Sequence, residues 1–236
     1  MTAPIVLLHG WGVTPQVWAP LQAELQAETL APEILASEGS LDDWAMRLLH
    51  EIPAGSVLVG WSLGAMLAMA IAARAPQHIS RLVLFAATPS FVKRKDWQQG
   101  LDAETTLAFR ENFRKDPQRT LERFIALQAL GDSERASVST ALRSSIASHE
   151  KHGTALAHGL RLLEQSDLRS ALPAASSRCL LIHGEQDALM PIAAAQWLSH
   201  RWSGSETFFM PGVGHAAFLS QPVSVAARIR QFIHAG

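Results

Sequence analysis

The stretch Ser56-Val-Leu-Val-Gly60-Trp-Ser-Leu-Gly64, running on into Ala65-Met-Leu-Ala-Met-Ala-Ile-Ala-Ala-Arg74, decides the fold. Val57–Val59 is a continuous apolar run, the pattern of a strand buried on both faces. Leu63–Arg74 reads as a helix, and Pro76 stops it because proline cannot continue the hydrogen-bond ladder. Between them a G-x-S-x-G sequence puts Ser62 on a sharp strand-to-helix turn, the geometry of a nucleophile elbow. Such a turn demands Gly60 and Gly64, since a Cβ two residues to either side of the serine would strike neighbouring backbone. The start of the new helix also supplies free N–H groups and a positive dipole end beside any oxyanion forming there.

A serine hydroxyl is a weak nucleophile without a base. In chains built around this elbow the partners follow in the order Ser, acid, His. The apolar run Cys179–Ile182 leads into His183-Gly-Glu-Gln-Asp187, and Thr207–Met210 leads into Pro211-Gly-Val-Gly-His215. Both loops therefore follow strands, as Ser62 does, so all three residues are expected at one edge of a sheet. His215 is the expected general base and Asp187 the residue that orients it, with Glu185 as the competing acid. His9 and His183 precede these loops and are expected in packing or supporting positions. Leu8-His-Gly-Trp-Gly12 closes the first strand with a glycine-rich turn, so the Trp11 and Leu63 N–H groups are the expected oxyanion donors.

Working outward, short strands alternate with amphipathic helices, the mark of a parallel sheet covered on both faces. Strands are predicted at Ile5–Leu8, Val57–Val59, Leu82–Phe85 and Cys179–Ile182, with weaker ones at Thr29–Ile34 and Thr207–Met210. Helices are predicted at Pro15–Gln26, Leu41–Glu51, Leu63–Arg74, Ile192–Arg201 and Val223–Ile233. From 88 to 172 the rhythm turns helical, and this stretch holds all four lysines. It is read as a helical cap (88–172) inserted in a core made of 1–87 and 173–236, which is an α/β-hydrolase fold. One cap helix is well marked, with Asp116 as N-cap, Pro117 at its first position and Gly131 as the residue just past its C-cap. At 100° per residue, Leu121, Phe124, Ile125 and Gln128 share one face and Arg119 and Arg123 the other.

Composition narrows the classes. The chain has 236 residues, 48% of them hydrophobic, and a formal net charge of −1, so no global field calls for nucleic acid or an anionic membrane. Its one cysteine, Cys179, cannot form an internal disulfide and lies in an apolar strand. Ligand spacings for a metal, phosphate-binding loops and dinucleotide fingerprints are missing, so no cofactor or metal is expected. The apolar run Leu63–Ala73 is too short to span a bilayer, and the first residues lack the layout of a signal peptide. A cytoplasmic monomer is expected.

With elbow, acid, base and cap in place, the chain resembles the pimeloyl-[acyl-carrier protein] methyl ester esterases. The resemblance rests on Leu7-Leu-His-Gly-Trp-Gly12, Gly60-Trp-Ser-Leu-Gly64, His183-Gly with Asp187, and the cap stretch Gln118-Arg-Thr-Leu-Glu-Arg-Phe-Ile-Ala-Leu-Gln128. It implies hydrolysis, in biotin synthesis, of the methyl ester that masks the far end of a carrier-bound pimeloyl chain. It also implies substrate contacts at Trp11, Ser62, Leu63, Phe124, Ile125, Ala126, Leu127, Gln128 and His215, and a carrier-protein contact at Arg119 and Arg123. Two departures from the family stand out: no N-terminal β-hairpin precedes the first strand, and Leu30–Ser40 lacks a glycine-rich stretch usual there. A mostly parallel sheet of about six strands is therefore expected. Two other activities fit the same residues: a general short-chain esterase or lactonase, and a non-catalytic small-molecule binder. Dehalogenase chemistry is disfavoured, because its nucleophile is Asp and this elbow carries Ser62.

Overall fold

A computed structural model describes residues 3–35, 38–172 and 178–235. Among them, six strands form one sheet: β1 (Ile5–Leu8), β2 (Thr29–Leu30), β3 (Ser56–Trp61), β4 (Ile79–Phe85), β5 (Arg178–Gly184) and β6 (Ser205–Met210). The order is β2-β1-β3-β4-β5-β6 and every neighbouring pair is parallel. Alternation along each strand sends side chains to two cores. Val6, Leu8, Leu58, Leu82 and Leu84 pack with α2 (Leu41–Leu49), α3 (Leu63–Arg74) and α8 (Ile192–Arg201). Ile5, Leu7, Val57, Val59 and Val83 pack on the other side with α1 (Ala19–Leu25), α9 (Ala217–Ser220) and α10 (Pro222–His234). α3 is buried continuously from Leu63 to Ala72, which is why its sequence is apolar all round instead of striped.

Between β4 and β5 the chain forms α4 (Ala103–Lys115), α5 (Pro117–Gln128), α6 (Arg135–Ser144) and α7 (His149–Gln165). α5 starts as its sequence predicts: the Asp116 carboxylate accepts a hydrogen bond from the Arg119 N–H at 3.1 Å, and Pro117 follows. Its buried face carries Leu121, Phe124, Ile125 and Gln128, while Arg119 and Arg123 are exposed. Its C-cap is Ala129, so left-handed Gly131 stands two residues past the cap, one further than predicted.

Other boundaries differ in informative ways. The predicted helix Pro15–Gln26 is a 3₁₀ turn, Pro15–Trp18, followed by α1, and it ends where Gln26 turns left-handed. The predicted strand Thr29–Ile34 keeps only Thr29 and Leu30 in the sheet. Ile34 instead donates its N–H to His9 Nε2 at 3.1 Å, so the chain leaves the sheet edge to close over the end of β1. The expected boundary at 173 lies outside the described residues, as do residues 36 and 37 of the shortened 30–40 segment and the first two residues of the chain. No described helix is long and apolar enough to cross a membrane.

His9 illustrates a buried group with a pH consequence. It is 2% exposed, its Nδ1–H donates to the Gly10 carbonyl at 2.8 Å, and its Nε2 accepts from Ile34. Burial pushes its pKa down from 6.5 to about 4, with the hydrogen bond to Gly10 opposing. The unfolded chain thus binds this proton more readily than the folded one between those two values, so stability must fall as pH falls from 6.5 toward 4. The full loss from this one group is about 3 kcal/mol, at ~1.4 kcal/mol per pH unit. Thermal unfolding followed across that range should show a falling Tm, and His9→Gln, which cannot titrate, should flatten the slope. An equally steep slope in that variant would assign the effect to other groups.

Candidate active site

Ser62 sits at φ +55°, ψ −115°, between the end of β3 and the first residue of α3. A non-glycine residue held there stores about 1–3 kcal/mol of strain, tolerated only where the surroundings leave no alternative. Those surroundings are visible in the two glycines. A Cβ on Gly60 would lie 2.4 Å from the Gly64 carbonyl oxygen. A Cβ on Gly64 would lie 2.1 Å from the Leu8 carbonyl oxygen and 2.5 Å from that of His9. The elbow is thus pressed directly against the end of β1, as close as backbone can approach backbone.

That approach brings the Leu8–Gly12 turn beside the start of α3. Neither the Trp11 nor the Leu63 backbone N–H is committed to an acceptor among the described residues, and Leu63, as first residue of its helix, has no intrahelical acceptor available. Trp11 and Leu63 border one small cleft together with Gly159 of α7. The Trp11 ring is gripped by the helices above the sheet. Its Nε1–H donates to the Leu156 carbonyl at 2.8 Å, and it meets Phe109, Phe113 and Phe124 edge-on at centroid distances of 5.6, 5.5 and 5.0 Å. A Cβ on Gly159 would come within 2.8 Å of the Trp11 ring, so α7 can lie this close only with glycine there.

β5 and β6 deliver the other two residues to the same sheet edge. The Asp187 carboxylate accepts from His215 Nδ1 at 2.8 Å through Oδ2, and from the Leu189 and Met190 N–H groups at 2.8 and 2.9 Å through Oδ1. Its side chain is fully buried. Burial alone would raise its pKa, but the His215 charge and hydrogen bond, with help from His183 and the Met190 N–H, hold it below the usual carboxylate range. An ionised acceptor at Nδ1 puts the imidazole proton on that nitrogen, leaving Nε2 as the basic atom. His215 is 1% exposed and its Nε2 has no hydrogen-bond partner. Residue 215 is tied next to the elbow, since Trp61 donates from Nε1 to its carbonyl at 2.9 Å and the two rings lie 5.6 Å apart.

Glu185 is exposed and makes no hydrogen bond or ion pair with His215 among the described residues, so the geometry favours Asp187 as the orienting acid. Of the packing or supporting positions expected for His183, it takes the supporting one. Its Nε2–H donates to the Met190 carbonyl at 2.8 Å and stands 3.5 Å from Asp187 Oδ2. The i, i+4 spacing of His183 and Asp187 is the one trace of this in the sequence.

The five α5 residues from Phe124 to Gln128 are dispersed. Phe124 packs on Trp11, and Gln128 is 1% exposed with both amide atoms unpartnered. Ile125 belongs to the core on the α1 and α10 side, Ala126 is exposed, and Leu127 is 39% exposed. Phe124 and Leu127 share a cavity of about 180 Å³ with Phe91, Leu101, Phe109 and Leu189, the last of these two residues beyond Asp187. At its edge Glu164 pairs with Arg110 at 2.6 Å. Arg119 and Arg123 make no ion pair among the described residues.

Three substitutions read this geometry. Ser62→Ala should lower kcat for a p-nitrophenyl ester by about 10⁴-fold or more while leaving Tm unchanged or higher, since it removes only Oγ. Asp187→Asn should cost about 10⁴-fold in kcat by presenting the wrong tautomer at Nε2, whereas Glu185→Gln should be silent. The reverse pattern would move the orienting role to Glu185.

The model of the alpha/beta hydrolase family matches residues 5–228. The chain is 42% identical to the pimeloyl-[acyl-carrier protein] methyl ester esterase of Aromatoleum aromaticum, over 97% of this chain and 97% of that one. It is 36% identical to the protein of the same name from Nitrosomonas europaea, over 92% and 90%. Among solved structures, an esterase from Exiguobacterium antarcticum superimposes with a TM-score of 0.83 at 20% identity, covering 99% of this chain and 92% of that one. The enol-lactonase from Burkholderia xenovorans does so with 0.83 at 17%, covering 99% and 92%. At those identities the two structures speak to the fold alone. The chain belongs to the alpha/beta hydrolase family and, within it, to the group of pimeloyl-[acyl-carrier protein] methyl ester esterases.

Proposed function

We propose that the protein is a cytoplasmic, monomeric serine carboxylesterase that converts the methyl ester of pimeloyl-acyl-carrier protein into free pimeloyl-acyl-carrier protein and methanol, in biotin synthesis. The observation that carries the chemistry is the Asp187–His215 pair, with Nδ1 protonated and Nε2 left open beside the strained Ser62 elbow. Ser62 Oγ attacks the ester carbonyl carbon as His215 Nε2 takes its proton, and Asp187 stabilises the imidazolium. The negative charge that develops on the carbonyl oxygen is met by the Trp11 and Leu63 N–H groups. His215 returns the proton to the departing methoxide, which leaves as methanol. Water then attacks the acyl-enzyme, giving its proton to His215, and the pimeloyl carboxylate is released as Ser62 regains its hydrogen.

Residues 88–172 act as the cap in this reading. The cavity bordered by Phe124 and Leu127 suits the methylene chain, and the buried amide of Gln128 suits a polar group of the substrate. Exposed Arg119 and Arg123, one turn apart on the outer face of α5, suit the acidic surface of a carrier protein. Such rim charges speed encounter more than they hold a complex together.

Carrier-bound and small soluble methyl esters test this together. Reversing both charges with Arg119→Glu and Arg123→Glu should raise KM for the carrier-bound ester by about 10-fold at low salt, shrinking as salt screens the contact. The same protein should hydrolyse the small ester normally. Phe124→Ala should impair both substrates, because it removes the ring that abuts Trp11. Equal losses on both esters after the arginine reversal would make the outer face of α5 structural and remove the carrier contact from this reading.

A further inference from the structure

The base His215 sits on a loop, residues 211–216, that has little stiffness of its own. It contains Gly212 and Gly214, the former at φ +71°, and no regular structure until α9 begins at Ala217. β3 and the loop after β5 hold one side of this loop, through Trp61 Nε1–H to the His215 carbonyl at 2.9 Å and Gln186 N–H to the Val213 carbonyl at 2.9 Å. The other side is held by the last residue of α5 and the connector from there to α6. There the Ser133 N–H donates to the Gly212 carbonyl at 2.8 Å, and the His215 N–H donates to the Gln128 carbonyl at 3.2 Å. Between them the Gly214 N–H donates to the Asp132 carboxylate at 2.7 Å.

Asp132 is the only side chain among these contacts from the connector, and it is itself fixed. It is 6% exposed, its Oδ1 accepts from the Glu134 N–H and from Ser220 Oγ, both at 2.8 Å, and its Oδ2 takes the Gly214 N–H. A buried carboxylate is costly unless its oxygens find donors, and three donors from three separate segments offset that cost only in one arrangement. Gly214 fits the same arrangement, since a Cβ there would come 3.2 Å from both the Asp132 Cβ and the Gln128 carbonyl oxygen. The connector also abuts the acid's loop, where a Cβ on Gly131 would lie 2.8 Å from the Gln186 carbonyl oxygen.

We propose that Asp132 is a positioning residue for His215: its carboxylate clamps the Gly214 N–H, fixing the backbone from which the base projects, so that the α5–α6 connector and the sheet share the alignment of the imidazole. This rests on the reading of His215 as general base. Asp187 sets the rotation of the ring, and Asp132 sets where the ring's backbone stands. An error of about 1 Å in such a group costs up to about 100-fold in rate.

The test compares Asp132→Ala with Ser220→Ala, which removes a partner of Asp132 without touching the His215 loop. With a small soluble ester, Asp132→Ala should lower kcat by about 10- to 100-fold with KM within twofold, while Ser220→Ala should keep kcat despite a lower Tm. Asp132→Asn, which retains an acceptor for Gly214, should recover most of the lost kcat. Unchanged kcat in Asp132→Ala, or kcat losses in both variants that simply track Tm, would overturn the proposal. Should Asp132→Ala not fold, Asp132→Gln decides: its longer side chain displaces the Gly214 contact, so a fall in kcat at constant KM supports the clamp and a normal kcat overturns it. Ser62→Ala and His215→Ala run alongside. If both are inactive while the Asp132 variants are fully active, only the clamp fails; if either retains wild-type turnover, the reading of the site itself fails.

Discussion

The contact on which the rest of the structure depends is the meeting of Gly64 with the carbonyls of Leu8 and His9, closer than any side chain would allow. It locks the start of α3 against the end of β1, and so decides that Ser62 must take a left-handed conformation at the tip of the turn. Three features follow from that single approach: a serine held at the tip of the turn at the sheet edge, a helix N-terminus behind it, and the turn carrying Trp11 alongside. Backbone packing, not side-chain chemistry, therefore prepares the site, and the cost of the strained serine is carried by the buried apolar layers on the two faces of β3.

The second constraint comes from above the sheet. Trp11 is held by a hydrogen bond to Leu156 and by three phenylalanine edges, all from helices between β4 and β5. The α5–α6 connector reaches down to the loops of both His215 and Asp187. These helices do more than shield the site, because they hold the side chain of a proposed oxyanion donor and the backbone of the proposed base. Changes in α5 or α7 meant to alter substrate preference would therefore act on rate as well.

Much of this was legible in the sequence, for identifiable reasons. Strands buried on both faces are unbroken apolar runs, so β1, β3, β4 and β5 stood out, and α3 and α8 were bounded correctly by their flanking residues. The elbow was readable because its requirement for two glycines is local. The edge of the sheet was not: Thr29–Ile34 has strand-like composition, but Ile34 bonds His9 instead of β1. Likewise nothing near Asp132 in the sequence points to Gly214, 82 residues away, nor does Phe124 announce Trp11. These are choices among partners distant along the chain, and no periodicity records them. His183 lay between the two cases, since its spacing to Asp187 was visible but its reach to that carboxylate was a matter of loop geometry.

Ser62 is the proposed nucleophile, made reactive by His215 and Asp187. A fluorophosphonate, which phosphonylates an activated serine, tests that role most directly when the labelled protein is digested and the modified peptide sequenced by mass spectrometry. One adduct per chain is expected, on Ser62 within Gly60-Trp-Ser-Leu-Gly64, formed in step with loss of esterase activity and absent from His215→Ala. An adduct on another residue, or full turnover by protein whose Ser62 is completely labelled, would contradict it.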